Sequence, residues 1–191
     1  IGGGTTDFAV FERGSLWHTG VLAVGGDHFT NDIAVGLRMP IPDAEKLKRR
    51  SGSALTALVP PDDTMEVASI AGRRPRVMQR RVLSEILQPR AEEICHLLWD
   101  EIRRAGYEKS LHSGIVLTGG GSMLEGMTEI AEEIFDLPVR RGSPERVGGL
   151  ADHVNNPGFA CPVGLVAYTH RNMPFDHERT AAGALGRMTG R

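Results

Sequence analysis

Two glycine triplets with hydroxyl neighbours, Gly2-Gly3-Gly4-Thr5-Thr6 and Thr118-Gly119-Gly120-Gly121-Ser122, constrain the fold of this chain more than any other feature. Glycine opens backbone conformations closed to other residues and lets an anion approach several N–H groups at once, while adjacent hydroxyls add donors. A single triplet reads equally well as a tight turn; two of similar chemistry point to two similar tasks. The residues that follow identify the kind of loop. A Walker loop runs through Gly-Lys-Ser/Thr into a helix, and a dinucleotide fingerprint runs through GxGxxG into a helix. Neither triplet is followed by lysine. The first leads into Thr6 to Phe11, where Phe8 and Val10 on one face alternate with Ala9 and Phe11 on the other, which predicts a strand partly buried on both faces. The Walker and dinucleotide readings therefore fail. The second triplet follows the apolar run Ile115-Val116-Leu117 and is expected to open a helix with Met123, Met127, Ile130 and Ile134 on its inner face. An anion or polar ligand could sit at the N-terminus of such a helix.

Strands and helices alternate along the rest of the chain, which argues for an α/β architecture. Glu12 to Ser15 predicts a turn and Leu16 to Val24 a returning strand, giving a hairpin. After Gly25-Gly26 a helix runs to about Leu37, with Phe29, Ile33 and Leu37 on one face. Asp43 is the expected N-cap of a short helix ending near Gly52. Thr64 to Ile70 predicts a strand and Ala71 to Pro75 a turn. The helical pattern from Val77 to Ala105 has Pro89 as a kink or as the start of a second helix, and Ile94, Leu97, Leu98, Ile102 and Ala105 share a face. Val139-Arg140 predicts a short strand, and Phe159 to His170 a last helix with Phe159, Val163 and Val166 at helical spacing. From Arg171 onward small and charged residues predict a frayed tail.

Composition excludes several classes. With 40% hydrophobic and 24% charged residues, the 191-residue chain can build a real core. A formal charge of -2 argues against nucleic acid as a bulk electrostatic partner, and the basic clusters at 46–50 and 73–81 read as solvated surface. Cys95 and Cys161 have neither CxxC nor His-partnered spacing, so a reduced, cytosolic chain is expected. No apolar run reaches the ~20 residues of a membrane-spanning helix, and the glycine-rich start lacks the regions of a signal peptide.

The first triplet in its context, IGGGTTDFAVF, resembles the second phosphate loop of the superfamily of actin, heat-shock chaperones and sugar kinases. Ile115 to Met127 resembles that superfamily's adenosine motif. In the superfamily these loops face each other across a cleft that holds ATP and magnesium. Glu45-Lys46-Leu47-Lys48-Arg49 resembles the stretch that contacts adenine and ribose, and Glu45 and Lys48, three apart, share a helix face. A solvated charged helix is the competing reading of that segment. Within the superfamily, Thr30 to Arg38, Asp43-Ala44-Glu45 with the basic stretch to Gly52, Ala71 to Arg76 and Ile86 to Arg90 are similar to the FtsA family of bacterial cell-division proteins. The MreB family of cell-shape filaments shares the loops, and Val24 to Asp27 is closer to it, but it does not usually carry the Arg-Pro-Arg turn before a long helix.

The resemblance implies the C-terminal half of an actin-like (ribonuclease H-like) ATPase domain with a smaller α+β subdomain inserted. Residues 1–25 and 108–157 would form the ATP-binding subdomain (IIA-like), and 26–107 the inserted one (IIB-like), which receives the C-terminal peptide of FtsZ. Residues 158–170 would be a helix packing toward the other half, and 171–191 a flexible tail. Implied nucleotide contacts are Gly2, Gly3, Gly4, Thr5, Thr6, Glu45, Lys48, Arg49, Gly119, Gly120, Gly121, Ser122 and Met123, with Mg2+ held mainly through the phosphates and no protein metal ligands. Implied partner contacts are Arg76, Arg90 and Glu93; the last two share a helix face and could grip an acidic peptide. The first phosphate loop, the catalytic residues, the family's extra assembly subdomain and its membrane-targeting amphipathic helix are not found, so the chain is expected to be cut at both ends. The family polymerises, works with other divisome proteins, and links FtsZ to the cytoplasmic face of the inner membrane at the septum, with at most slow hydrolysis. An MreB-like filament protein and a small-metabolite kinase or phosphatase are the competing functions.

Overall fold

The computed structural model describes residues 1–67, 75–145, 148–149 and 151–172. Elements follow in the order β1 (Thr6–Glu12), β2 (Ser15–Leu22), α1 (Gly26–Gly36), α2 (Ile41–Ser51), β3 (Thr64–Val67), β4 (Arg76–Gln79), α3 (Arg80–Arg104), β5 (Ile115–Leu117), α4 (Met127–Phe135), β6 (Val139–Arg141), α5 (Ala151–Val154) and α6 (Ala160–Asn172). The strands form three two-stranded ladders: antiparallel β1–β2 and β3–β4, and parallel β5–β6.

The core is organised around α3. Leu83, Leu87, Ala91, Ile94, Leu98 and Ile102 recur three or four residues apart and are buried on one face. They share a single apolar cluster with Phe29, Ile33 and Leu37, with Ala44 and Leu47 of α2, with Met65 and Val67 of β3, and with Met127, Ile130, Ala131 and Phe135 of α4. Burying Leu83, Leu87 and Ile94, each at most 1% exposed, contributes roughly 1.5–3 kcal/mol per side chain before entropy. The parallel β5–β6 pair, crossed over by α4, is the α/β unit that the alternation implied.

Several expectations need correction. Strand β1 buries only one face: Thr6 and Val10 are buried and Phe8 is half-buried, while Asp7, Ala9 and Phe11 lie exposed. Asp43 does not cap α2, which begins two residues earlier after Pro40. The fixed φ of Pro40 and Pro42 suits a first turn, where proline's missing N–H costs nothing. Val77 to Gln79 belong to a strand, not a helix, with Met65 opposite Met78 and Glu66 opposite Val77. Four residues are too few for their period to be read, and pairing with β3 satisfies backbone groups that would otherwise need partners. Pro89 starts no second helix: α3 runs through it, because buried residues on both sides keep one face on the core. Leu97, at 40% exposure, is outside that face. Helix α6 forms where expected, but its apolar residues are not buried, with Leu165 at 63% and Val166 at 70% exposure, and Phe159, expected in the helix, lies just before it at 44%. The end of the strand expected at 64–70, most of the turn at 71–75, and the tail beyond 172 lie outside the described residues.

Candidate functional site

The two glycine loops meet at Ile1. Its N–H group donates to the Thr118 carbonyl at 2.7 Å, and its own carbonyl accepts from the Gly121 N–H at 3.0 Å. Gly119, with φ +87°, sits so close that a Cβ there would fall 2.4 Å from the Ile1 carbonyl oxygen. The second triplet does not open an α-helix. Gly120–Met123 is a single 3-10 turn, and α4 begins only at Met127, after Gly126 in the left-handed region. The expected helix N-terminus is thus displaced from the glycines, and Met123 is 46% exposed instead of packed inward.

The first loop is held by the N-terminus of α1. Gly2 N–H donates to the Thr5 carbonyl, Gly26 N–H to the Gly2 carbonyl, and Asp27 N–H to the Gly3 carbonyl, each at 2.8 Å. Gly25 makes this approach possible, since a Cβ on it would stand 2.6 Å from the Gly3 carbonyl oxygen. His28 completes the helix start by accepting the Gly25 N–H on Nδ1. Among the described residues nothing accepts from the Gly3 or Gly4 N–H groups, and a Cβ at Gly4 would meet nothing within 4 Å. The tip is therefore an open pair of backbone donors, a geometry that fits a phosphate. Two of the expected hydroxyl donors are committed elsewhere: Thr6 Oγ1 donates to the Val24 carbonyl and Ser122 Oγ to the Gly119 carbonyl. Thr5 is exposed and donates to Asp7 Oδ2.

Glu45 and Lys48 lie against the same helix end. Lys48 Nζ donates to the Gly26 carbonyl and to Thr30 Oγ1, both at 2.7 Å, and pairs with Glu45 Oε2 at 2.6 Å. Thr30 Oγ1 donates to Glu45 Oε2 at 2.5 Å. Burial alone would raise the Glu45 carboxyl, but hydrogen bonds from Lys48 and Thr30, with the charges of Lys48 and Arg49, hold it below its ordinary value. Lys48, with a side chain only 13% exposed, is not part of a solvated charged face. Arg49 is exposed.

Residues Arg90 and Glu93 are in contact and line a groove of about 620 Å³ between α1 and α3, together with Asn31, Asp32, Val35, Gly36, Ile86 and Pro89. Val35, Ile86 and Pro89 are apolar surfaces that no periodicity had marked as anchors. Arg90 is not a free cation: it donates to both oxygens of Asp32 and to Glu93, so one guanidinium stands between two carboxylates. Arg76 is not in this group; from β4 it donates to the Leu37 carbonyl at the end of α1.

Thr30, Asp32 and Gly25 carry structural weight for which sequence reasoning found no role. A signal for Thr30 existed, since it falls on the buried stripe beside Phe29 and Ile33, where a hydroxyl needs an internal partner. Asp32 offered no such sign, because its partner is 58 residues away.

A sequence model of the family described as cell division protein FtsA matches residues 1–164. The chain is 48% identical over 168 residues to cell division protein FtsA of Pseudomonas aeruginosa, covering 88% of this chain and 40% of that protein. It is 39% identical over 196 residues to cell division protein FtsA of Escherichia coli (strain K12), covering 97% of this chain and 47% of that one. The chain thus spans less than half the length of these curated relatives. Among solved structures it is similar to MreB5 of Spiroplasma citri bound to ADP, with a TM-score of 0.66 at 22% identity over 91% of this chain and 52% of that one. At that identity the likeness establishes the fold, which is that of the actin-like ATPases.

Proposed function

This chain belongs to the FtsA family of cell division proteins, and we propose that it forms the part of an actin-like ATPase that closes over ATP on one side and receives the C-terminal peptide of FtsZ on the other. The observation that carries this reading is the convergence of both glycine loops on Ile1, with the Glu45–Lys48 pair anchored to the helix end that holds the first loop. Backbone donors of Gly3, Gly4 and Gly120 would hold phosphate, since the Gly119 and Gly121 N–H groups are taken by the Pro157 and Ile1 carbonyls, and Glu45 and Arg49 would meet the nucleoside side. ATP with Mg2+, when bound, supplies the polyphosphate charge that these donors neutralise. Residues 1–25 and 108–157 form the nucleotide-binding subdomain in this reading, and 26–107 the inserted one.

The groove between α1 and α3 is the peptide site. Val35, Ile86 and Pro89 offer apolar surface, and Arg90 and Glu93 offer a polar edge, the combination that a short peptide in a groove requires. In the full-length protein this arrangement serves filament assembly and the attachment of FtsZ to the membrane at the division septum. No helix among the described residues is long and apolar enough to cross a membrane; in this reading attachment falls to an amphipathic helix of the full-length protein.

The deciding experiment titrates the full-length protein with Mg-ATP while its melting temperature is followed. Ligand at a hundredfold over its dissociation constant should stabilise by about 2.7 kcal/mol. A protein whose melting does not respond to Mg-ATP would contradict the nucleotide reading. For the peptide, unchanged FtsZ-peptide affinity in Arg90→Glu would remove Arg90 from the site.

A further inference from the structure

Lys48 has no donor to spare. An ammonium has three N–H groups, and those of Lys48 go to the Gly26 carbonyl, Thr30 Oγ1 and Glu45 Oε2. Its task in this fold is to hold α2 against the first turn of α1. The oxygen left without either partner is Glu45 Oε1, since Lys48 and Thr30 both bind the other oxygen. Thr30 sits at the middle of the arrangement, 4% exposed, accepting from Lys48 and donating to Glu45. Gly26 connects it to the loop: its carbonyl accepts from Lys48, and its N–H donates to Gly2.

We propose that Thr30 is a positioning residue whose hydroxyl orients Glu45 and Lys48, so that the nucleoside end of a bound nucleotide is met in register with its phosphates at Gly3 and Gly4. A carboxylate oxygen accepts hydrogen bonds, so the fitting ligand groups are the donors of a nucleoside, the ribose hydroxyls or the adenine amino group. Removing the Thr30 hydroxyl leaves Lys48 one acceptor short and Glu45 held by Lys48 alone, while the loop keeps its own clasp from Gly26 and Asp27. This inference rests on the reading of the cleft as an ATP site.

The test compares ATP with inorganic tripolyphosphate, which has the phosphates and no nucleoside, on the full-length protein. Thr30→Val is expected to weaken ATP binding roughly tenfold, the size of one hydrogen bond to a charged group, and to leave tripolyphosphate binding unchanged. Thr30→Ser, which keeps the hydroxyl, should retain the unmodified ratio of the two affinities. Thr30→Ala removes the same hydroxyl in a better helix former and should repeat the valine result if that variant does not fold. An equal loss for both ligands would assign Thr30 a purely structural role and overturn the proposal, as would an unchanged ratio. If the unmodified protein bound ATP no better than tripolyphosphate, the nucleoside-side reading would fall, and Thr30's role with it.

Discussion

Asp32 on α1 and Arg90 on α3 are joined by two parallel hydrogen bonds, Nε to Oδ2 at 2.7 Å and Nη2 to Oδ1 at 3.0 Å. The hydrogen bonds to Asp32 raise the Arg90 guanidinium further above its ordinary value against the opposing effect of burial, and the charges of Asp32 and Glu93 add to this. The pair fixes the two walls of the groove relative to one another. It also means that an acidic ligand must compete with Asp32 for the same cation.

Asp32→Asn therefore has effects of opposite sign. Both side chains are about one-quarter exposed, so losing the charge should cost about 1 kcal/mol of stability, or roughly 2–4 °C in melting temperature. The same change leaves Arg90 freer, so an acidic peptide should bind more tightly and with a steeper dependence on salt. Peptide affinity that falls along with stability would show that the pair builds the groove without restraining Arg90.

At the first loop, Gly25→Ala and Gly4→Ala should differ sharply. The added methyl at Gly25 would stand 2.6 Å from one carbonyl oxygen and 2.8 Å from another, so the clasp between the loop and α1 must open. We expect a loss of at least about 2 kcal/mol, in the range of strained or overpacked sites. At Gly4 the methyl meets nothing within 4 Å, and stability should stay within about 0.5 kcal/mol. Equal melting temperatures for the two variants would mean that the loop does not depend on its approach to Gly25.

How far the sequence could be read depended on the range of the interactions concerned. The β1–β2 hairpin, α1, the β5 strand and the β6 strand were legible because alternation, helical spacing and glycine breaks are local. The two glycine segments were legible as loops, but the second opens a 3-10 turn and not the expected helix, which begins only at Met127. The β4 strand was not, because its identity comes from Met65 and Glu66 across the ladder and not from its own four residues. The groove's polar wall was half legible: Arg90 and Glu93 share a turn of helix, whereas Asp32 reaches Arg90 only through the packing of α1 on α3. The hydroxyls misled for a related reason. Thr6 and Ser122 satisfy backbone carbonyls close to them, so a loop rich in hydroxyls did not become a loop with free ones.

Arg80 offers a test of fork geometry. Its Nε donates to the Ser51 carbonyl at the end of α2, Nη1 to Asp63 and Nη2 to Glu125. Burial opposes its charge, yet the hydrogen bonds and charges of Glu125 and Asp63 raise the guanidinium above its ordinary value. One side chain thus ties the start of α3 to the end of α2 and to the segment before α4. A lysine keeps the charge but cannot reach three directions from a planar fork. Arg80→Lys should therefore lose most of what Arg80→Met loses, about 1–3 kcal/mol in thermal or denaturant unfolding. A lysine variant as stable as the unmodified protein would show that charge, and not the fork, matters at this site.

The Glu45 carboxylate should make the clasp between α1 and α2 sensitive to acid. Its folded value lies below the ordinary 4.5, because hydrogen bonds from Lys48 and Thr30 and the charges of Lys48 and Arg49 outweigh the burial that would raise it. The unfolded chain consequently binds the proton more readily than the folded one. The stabilisation is present above pH 4.5 and is lost as pH falls through the lower folded value. With the side chain 40% exposed, solvent screens the pair and the effect is modest. Glu45→Gln removes the titration while keeping an oxygen that can accept from Lys48. The melting temperature of the unmodified protein should exceed that of Glu45→Gln at neutral pH, and the gap should narrow steadily as the solution is acidified below pH 4.5. A gap that stays constant across that range would mean that Glu45 contributes through shape alone and not through its charge.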